Sequence, residues 1–265
     1  MTWSDATVRW RTEMLAADQS PDTIRLRIYW LRRWERVCRH PQSATRDALV
    51  AFLARAGWAP ETRRSVRASL VRFYTFMHTE GHMPDNPAVR LPKIRVPIPL
   101  PRPAPDDAII SGIASARPRV KLMIWLAAIG AMRRAEISRV HTSHLAGRTL
   151  RVFGKGGKVR TIDLPDWLAR IIADHPEGWL FPAPSGDHLT PAHVGVLITR
   201  ALPDGVTPHQ LRHAAASELH EQGLSLEEIR IVLGHARLDT TQRYVAVKSA
   251  RTAAAIERAG ARFAS

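Results

Sequence analysis

From Ser20 onward, apolar side chains recur at Ile24, Ile28, Leu31 and Trp34, a spacing that places them on one face of a helix. Ser20-Pro21 followed by Asp22 supplies a cap and a proline at the start of that helix. The remaining faces carry Arg25, Arg27, Arg32, Arg33 and Arg36. A second segment, from Pro60 to Glu80, turns Val66, Leu70, Phe73, Tyr74 and Phe76 to one side and Arg63, Arg64, Arg67 and Arg72 to the other, and Asn86-Pro87 is expected to end it. These patterns predict a helical bundle whose outer faces are basic. Farther on, Val120 to Ile129 is an almost unbroken apolar run that stops at Gly130, with another short helix expected from Arg133 to Val140. The period then falls to two. His144-Leu145, Thr149 to Phe153 and Arg160 to Leu164 read as short strands, the last two flanking the loop GKGGK at residues 154–158, whose glycines tolerate the positive φ of a hairpin connection. The rest is helical. Thr207-Pro208 opens a helix in which Leu211, Ala215 and Leu219 share a face, and Gly223 closes it. Ser225 and Glu228 form a capping box for the next, which stops at Gly234. No internal repeat is found.

Between Arg90 and Asp106 the run LPKIRVPIPLPRPAP holds prolines at 92, 97, 99, 101, 103 and 105, which keeps the chain extended. It reads as a linker, residues 91–105, between a helical domain at 1–90 and a second domain at 106–265. The expected fold is mainly α with a small antiparallel β-sheet. At 265 residues and 45% hydrophobic composition, the chain can build two cores. No apolar run is long enough to cross a bilayer, and the opening MTWSDATVRW lacks the pattern of a signal peptide. The one cysteine, Cys38, excludes an intramolecular disulfide, suits a reducing cytoplasm and reads as a core residue on an apolar helix face. Charge sharpens the picture. Lys and Arg total 39 against 24 Asp and Glu, a net of +15, and the arginines cluster along helices. Such a footprint points to a polyanion, most often nucleic acid. Arg25, Arg32, Arg63, Arg64, Arg67 and Lys158 are candidate DNA contacts, although for any single one of them a solvated surface group is the commoner reading.

Only five lysines occur, and two of them, Lys155 and Lys158, lie in the GKGGK loop. Lysine can give up a proton, which arginine cannot. The loop fails the phosphate-loop pattern, because Val159 follows Lys158 where a hydroxyl is needed and the loop joins strand to strand. In TPHQLRHAAASELHEQG, His209 and Arg212 are three residues apart near a helix N-terminus, an arrangement suited to a phosphate. HEQGL at 220–224 begins like a zinc-protease helix, but Leu224 stands where the second histidine belongs. His209 and His213 have ligand spacing without an evident third partner, so no metal is expected. Arg133 and Glu136 form either a surface ion pair or a clamp in which the carboxylate aims the guanidinium at a phosphate. Tyr244 follows the polar run DTTQR, unlike Tyr29 and Tyr74, which sit among apolar neighbours and read as packing residues.

Taken in order, Arg133 in GAMRRAEI, Lys155 in GKGGK, His209-x-x-Arg212, Gly234-His235 and Tyr244 resemble the motif set of the tyrosine recombinase (phage integrase) family over about residues 120–245. The segment VRASLVRFYTFMHTEGHMPDNPAVRLP is more loosely similar to that family's helical core-binding domain, making 1–90 the DNA clamp and 106–265 an α+β catalytic domain. Three residues depart from the family pattern. Gly130-Ala131 replaces the usual Thr-Gly, and Val245 replaces a common threonine. The resemblance implies a site-specific recombinase that cleaves DNA through a 3′-phosphotyrosine without metal, cofactor or ATP. It implies Tyr244 as nucleophile, Arg133 and Arg212 as charge stabilisers, His209 and His235 as phosphate hydrogen-bonders, Lys155 as general acid and Glu136 as support for Arg133. It further implies a two-domain enzyme lacking an arm-site-binding domain, a homotetramer on paired DNA sites, no membrane, and a cytoplasmic, nucleoid-associated place in a bacterial host. A C-terminal helix containing Val247, Ala254 and Ile256 docks either on its own domain or on a neighbouring subunit. The competing expectations are a type IB topoisomerase and a DNA-binding protein of the same fold with an inactive site.

Overall fold

The computed structural model describes residues 1–97, 102–154, 157–234, 254–261 and 263. The chain divides into two compact units, Met1–Pro99 and Leu100–Ser265.

In the first unit α1 (Trp3–Ala16), α2 (Pro21–Glu35), α3 (Arg46–Leu53) and α4 (Pro60–Thr79) surround one aromatic core. Trp3, Trp10, Trp34, Phe52, Phe73 and Tyr74 are all buried, with Leu70 and Val66 between them. Side-chain oxygens of Thr2, Ser20 and Thr45 cap α1, α2 and α3. The sequence pattern had pointed to α2 and α4 but not to α1 and α3. Four details differ from expectation. Helix α4 ends at Thr79, not near Asn86-Pro87. Gly81, at φ 69°, turns left-handed there, and its N–H reaches His78 O at 3.1 Å while His82 N–H reaches Met77 O at 2.8 Å, a complete Schellman stop. Tyr29 is not a packing residue: it is 47% exposed, stacked edgewise on Trp30 with Arg33 over its ring. Cys38 is buried, but it lies beyond the end of α2, where Sγ meets His40 O at 3.1 Å. Arg67 is part-buried, and its Nε and Nη2 donate to Leu91 O at 3.3 and 2.9 Å, which ties the end of this unit to α4.

The second unit holds α5 (Asp106–Ser115), α6 (Pro118–Ala128), α7 (Arg134–Ile137), β1 (Leu145–Ala146), β2 (Thr149–Phe153), β3 (Val159–Asp163), α8 (Asp166–Ala173), α9 (Pro191–Ala201), α10 (Pro208–Glu221) and α11 (Leu226–Leu233). The strands form an antiparallel sheet in the order β1-β2-β3. Leu150 pairs with Ile162 and Val152 with Arg160, so these four side chains share the face turned to the core. Helix α6 is buried along most of its length and packs against α5, α9 and α10. Helix α7 is shorter than expected: past Ile137 the chain makes only three-residue bonds, Arg139 N–H to Glu136 O and Val140 N–H to Ile137 O at 3.2 Å each, before Leu180 N–H donates to Val140 O at 2.9 Å and Thr142 N–H to Gly178 O at 2.9 Å. Ser225 and Glu228 make the reciprocal cap expected of them, and α11 ends at Gly234, φ 63°. Residues 254–261 are helical. There Ala255 and Ile256 are fully buried in this unit's own core, whereas Ala254 is exposed. Gly260 lies so close to Pro165 that a Cβ would sit 2.4 Å from its ring. Val247 lies outside the described residues. No helix among the described residues is long and apolar enough to cross a membrane.

Candidate active site

Glu136 is the centre of the site. It occupies the third position of α7, where its Oε2 accepts the Arg133 backbone N–H at 2.7 Å and so caps the helix. Its side chain is only 2% exposed. A buried carboxylate demands partners, and it has three guanidiniums. Arg133 Nη1 donates to Oε1 at 2.8 Å. Arg160, on β3, donates through both Nη1 and Nη2, to Oε1 at 2.7 Å and Oε2 at 2.9 Å. Arg212, on α10, holds Nη1 3.7 Å from Oε2. The Arg133–Glu136 pair is therefore no surface ion pair.

Two carbonyls lock the arginines further. Leu233 O, at the end of α11, accepts Arg212 Nη2 at 2.5 Å and Arg133 Nη1 at 3.2 Å, a use of helix C-terminal carbonyls that favours cations. Arg212 Nη1 also donates to Ala131 O. Ala131 is buried at φ 50°, a left-handed conformation that an alanine adopts at some cost, and this turn carries the chain from α6 into Arg133. Gly234 is required twice over. Its φ is 63°, and a Cβ there would lie 3.0 Å from Arg160 Cδ and Nη1.

One carboxylate among three guanidiniums leaves a surplus of two positive charges in a mostly dry setting. Burial alone would raise Glu136. The hydrogen bonds and charge of Arg160, followed by Arg133, outweigh burial and hold the carboxyl below its ordinary range. Burial, and then Arg133, push Arg212 down to about 9, so it stays charged at neutral pH. His209, in the first turn of α10, lies edge to face with His213 at 4.4 Å. Desolvation, then the neighbouring charges of His213, Arg212, Arg133 and Arg134, lower His209, which favours a neutral ring at pH 7. The arrangement can bind an oxyanion on two guanidiniums and offer it an imidazole.

The structure brings Arg133, Glu136 and Arg212 into one network, with His209 beside it. Lys155, His235 and Tyr244 lie outside the described residues. Lys158 is exposed, and its carbonyl accepts Gly154 N–H at 2.7 Å across the hairpin. Arg134 turns away: a Cβ on Gly195 of α9 would lie 2.7 Å from its Nη1. Among the described residues no group of three or more His, Cys, Asp or Glu side chains could hold a metal ion. In the first unit Arg32 and Arg64 are exposed, Arg25 pairs with Asp22 at 2.9 Å, and Arg63 Nη2 reaches Arg55 O at 3.3 Å. The sequence reading missed Arg160. Its signal was strand alternation, since Arg160 shares a face with Ile162, and a charge on the inward face of a strand calls for a buried partner.

The phage integrase family model matches residues 107–251. The tyrosine recombinase XerD of Caulobacter vibrioides is 31% identical, with 92% of this chain and 92% of that protein aligned. Among solved structures, the integrase from mycobacterium phage Brujita is 28% identical with a TM-score of 0.54, covering 98% of this chain and 97% of that one. A lambda integrase dimer bound to a COC′ core site superposes with a TM-score of 0.70 at 18% identity, covering 89% of this chain and 96% of that one.

Proposed function

The chain belongs to the phage integrase family and is a site-specific DNA recombinase, and from that premise we propose that its chemistry runs through Tyr244 with the Glu136 network as phosphate receptor. The Tyr244 oxygen attacks the scissile phosphorus while the bond to the 5′-oxygen breaks. A 3′-phosphotyrosyl link forms, and the strand beyond the break keeps a 5′-hydroxyl. The proton leaving Tyr244 passes to His209 or His235, and Lys155 supplies the proton that the departing 5′-oxygen takes up. A 5′-hydroxyl from the exchange partner then attacks the same phosphorus, and Tyr244 leaves with a proton. Each step trades one phosphodiester for another, so neither ATP nor an external nucleophile is consumed. Arg133 and Arg212 stabilise the charge that grows on the non-bridging oxygens, the task that Mg²⁺ performs in many phosphoryl transfers.

The observation that carries this reading is the surplus of two positive charges around Glu136, built from arginines that arrive at the cap of α7, on β3 and on α10. The ligand is double-stranded DNA. Residues 1–90 serve as the clamp on it and residues 106–265 as the catalytic domain, with Arg25, Arg32, Arg64 and Lys158 meeting phosphates. Exchange of two duplexes needs four cleavages, hence four copies of the chain on one synapse, working in the cytoplasm at the nucleoid. Type IB topoisomerase action is not favoured, because the relatives are recombinases.

The test uses nicked duplex fragments tiling the DNA around the gene and the host chromosome, incubated with protein in EDTA and run on denaturing gels. Wild type is expected to leave a covalent adduct on one fragment, and Tyr244→Phe to leave none. An adduct that survives in Tyr244→Phe defeats the assignment of the nucleophile, and an adduct that needs added metal defeats the metal-free chemistry.

A further inference from the structure

We propose that Arg160 is a positioning residue for strand cleavage: it neutralises Glu136 so that the Arg133 guanidinium stays available to the scissile phosphate. This rests on the assignment of Arg133 to that phosphate. A carboxylate and a guanidinium in a dry setting form a strong fork, and a carboxylate left alone with Arg133 would absorb much of its charge and several of its donors. The geometry divides the labour otherwise. Arg160 takes the fork, with both terminal nitrogens on both carboxylate oxygens at 2.7 and 2.9 Å. Arg133 spends one side-chain nitrogen, Nη1, on Glu136, and its other contact there is through the backbone. Exposure agrees: the Arg160 side chain is 12% exposed and that of Arg133 is 41%. Of these two, the one that forks the carboxylate is the standing counter-ion and the more exposed one faces outward; Arg212 is buried as well, but it meets Glu136 only at 3.7 Å and donates to the Ala131 and Leu233 carbonyls.

Arg160 also joins three segments. It lies on β3 two residues after Lys158, at the root of the hairpin that carries Lys155. It grips Glu136 on α7, and its side chain runs against Gly234, the residue before His235. One guanidinium therefore sets the hairpin, the Arg133 turn and the end of α11 against each other.

The experiment compares wild type, Arg160→Met, Arg160→Lys and the double variant Arg160→Met/Glu136→Gln for adduct formation at saturating nicked DNA, DNA affinity and thermal unfolding. Arg160→Met is expected to slow adduct formation about 100-fold, with affinity within about threefold of wild type. Arg160→Lys, which keeps the charge but not the fork, is expected to fall between them. The decisive variant is the double one. A neutral amide does not draw on Arg133, so Glu136→Gln is expected to restore at least about tenfold of the rate lost in Arg160→Met. A purely structural arginine gives the opposite result, because the second substitution removes more of the network. Wild-type rate in Arg160→Met, a loss that follows affinity, or no recovery in the double variant overturns the proposal. If Arg160→Met does not fold, Arg160→Lys and the double variant decide. A wild-type adduct absent on every fragment defeats the Tyr244 reading and this one with it. A Tyr244-dependent adduct unaffected by Arg160→Met defeats this one alone.

Discussion

The two units bury polar groups in opposite ways. In the first, three buried groups are neutral and paired singly: Trp3 Nε1 with Cys38 O at 2.8 Å, Trp34 Nε1 with the Tyr74 hydroxyl at 2.7 Å, and Ser69 Oγ with Ser65 O at 3.0 Å. They serve an aromatic core in which Trp34 meets Phe52, and Phe73 meets Tyr74, each at 5.0 Å between ring centres. In the second, the central buried polar cluster is ionic and out of balance, with Glu136 among three arginines. Desolvating ions commonly costs more than their pairing returns, whereas a neutral hydrogen bond is close to break-even with a modest gain. A core meant only to stand would use the first solution. The second solution makes sense where a further anion is to arrive.

The largest effect should come from removing the central carboxylate. Glu136→Ala leaves Arg160 and Arg212 buried against each other and is expected to cost the second unit about 3–5 kcal/mol. Urea unfolding followed in each unit would show it, the first unit's transition staying in place. A loss under about 1 kcal/mol would mean that the arginines relax into water, and the contrast between the units would dissolve. The matching change in the first unit, Tyr74→Phe, strands the Trp34 N–H without its acceptor and is expected to cost about 1–3 kcal/mol there, with DNA cleavage unchanged. Smaller still is Ala131→Gly. Loss of a buried methyl costs about 0.8 kcal/mol and added backbone freedom about 0.5–1 kcal/mol, against about 1–2 kcal/mol of relief at the left-handed φ. The sum lies within about 1 kcal/mol of zero, and calorimetry showing a larger loss would mean that the turn is not strained.

The last contrast is silent at neutral pH. The Glu136 carboxyl sits below its ordinary 4.5 in the folded protein, since Arg160 and Arg133 outweigh the upward push of burial. Its unfolded form takes up protons first as pH drops, so its contribution is intact above about 4.5 and vanishes as pH falls through the folded value. Tyr74 is shifted the other way, raised by burial against the opposing Trp34 hydrogen bond. Its unfolded form ionises near 10, so its contribution is complete below that and declines as pH rises further. The second unit should therefore weaken in acid and the first in alkali. Glu136→Gln and Tyr74→Phe should each flatten only its own limb of a stability-against-pH curve, and a shared limb would contradict the separate origins.

Local signals were the legible part of the fold. Pro at the start of α2, α4 and α10, the Ser225–Glu228 cap and the glycine after α11 each act within a few residues, so they survive without tertiary knowledge. Arg133 and Glu136 were readable as a pair for the same reason, being three apart. Missed features needed the third dimension. Leu180 N–H meets Val140 O from forty residues away, and Arg160 meets Glu136 only because the sheet register turns it inward. The Gly81 stop after α4 was local but was passed over for the more conspicuous Asn86-Pro87.

The buried Ala255 and Ile256 have one further consequence. They fasten the chain beyond Tyr244 to the same core that holds the chain before it at Leu233. Tyr244 is ten residues from Gly234 on one side and ten from Ala254 on the other. A strand of that length reaches at most about 35 Å from either anchor. Tyr244, the proposed nucleophile, is thus bounded in its reach from both sides of the chain, whatever the concentration of the protein itself.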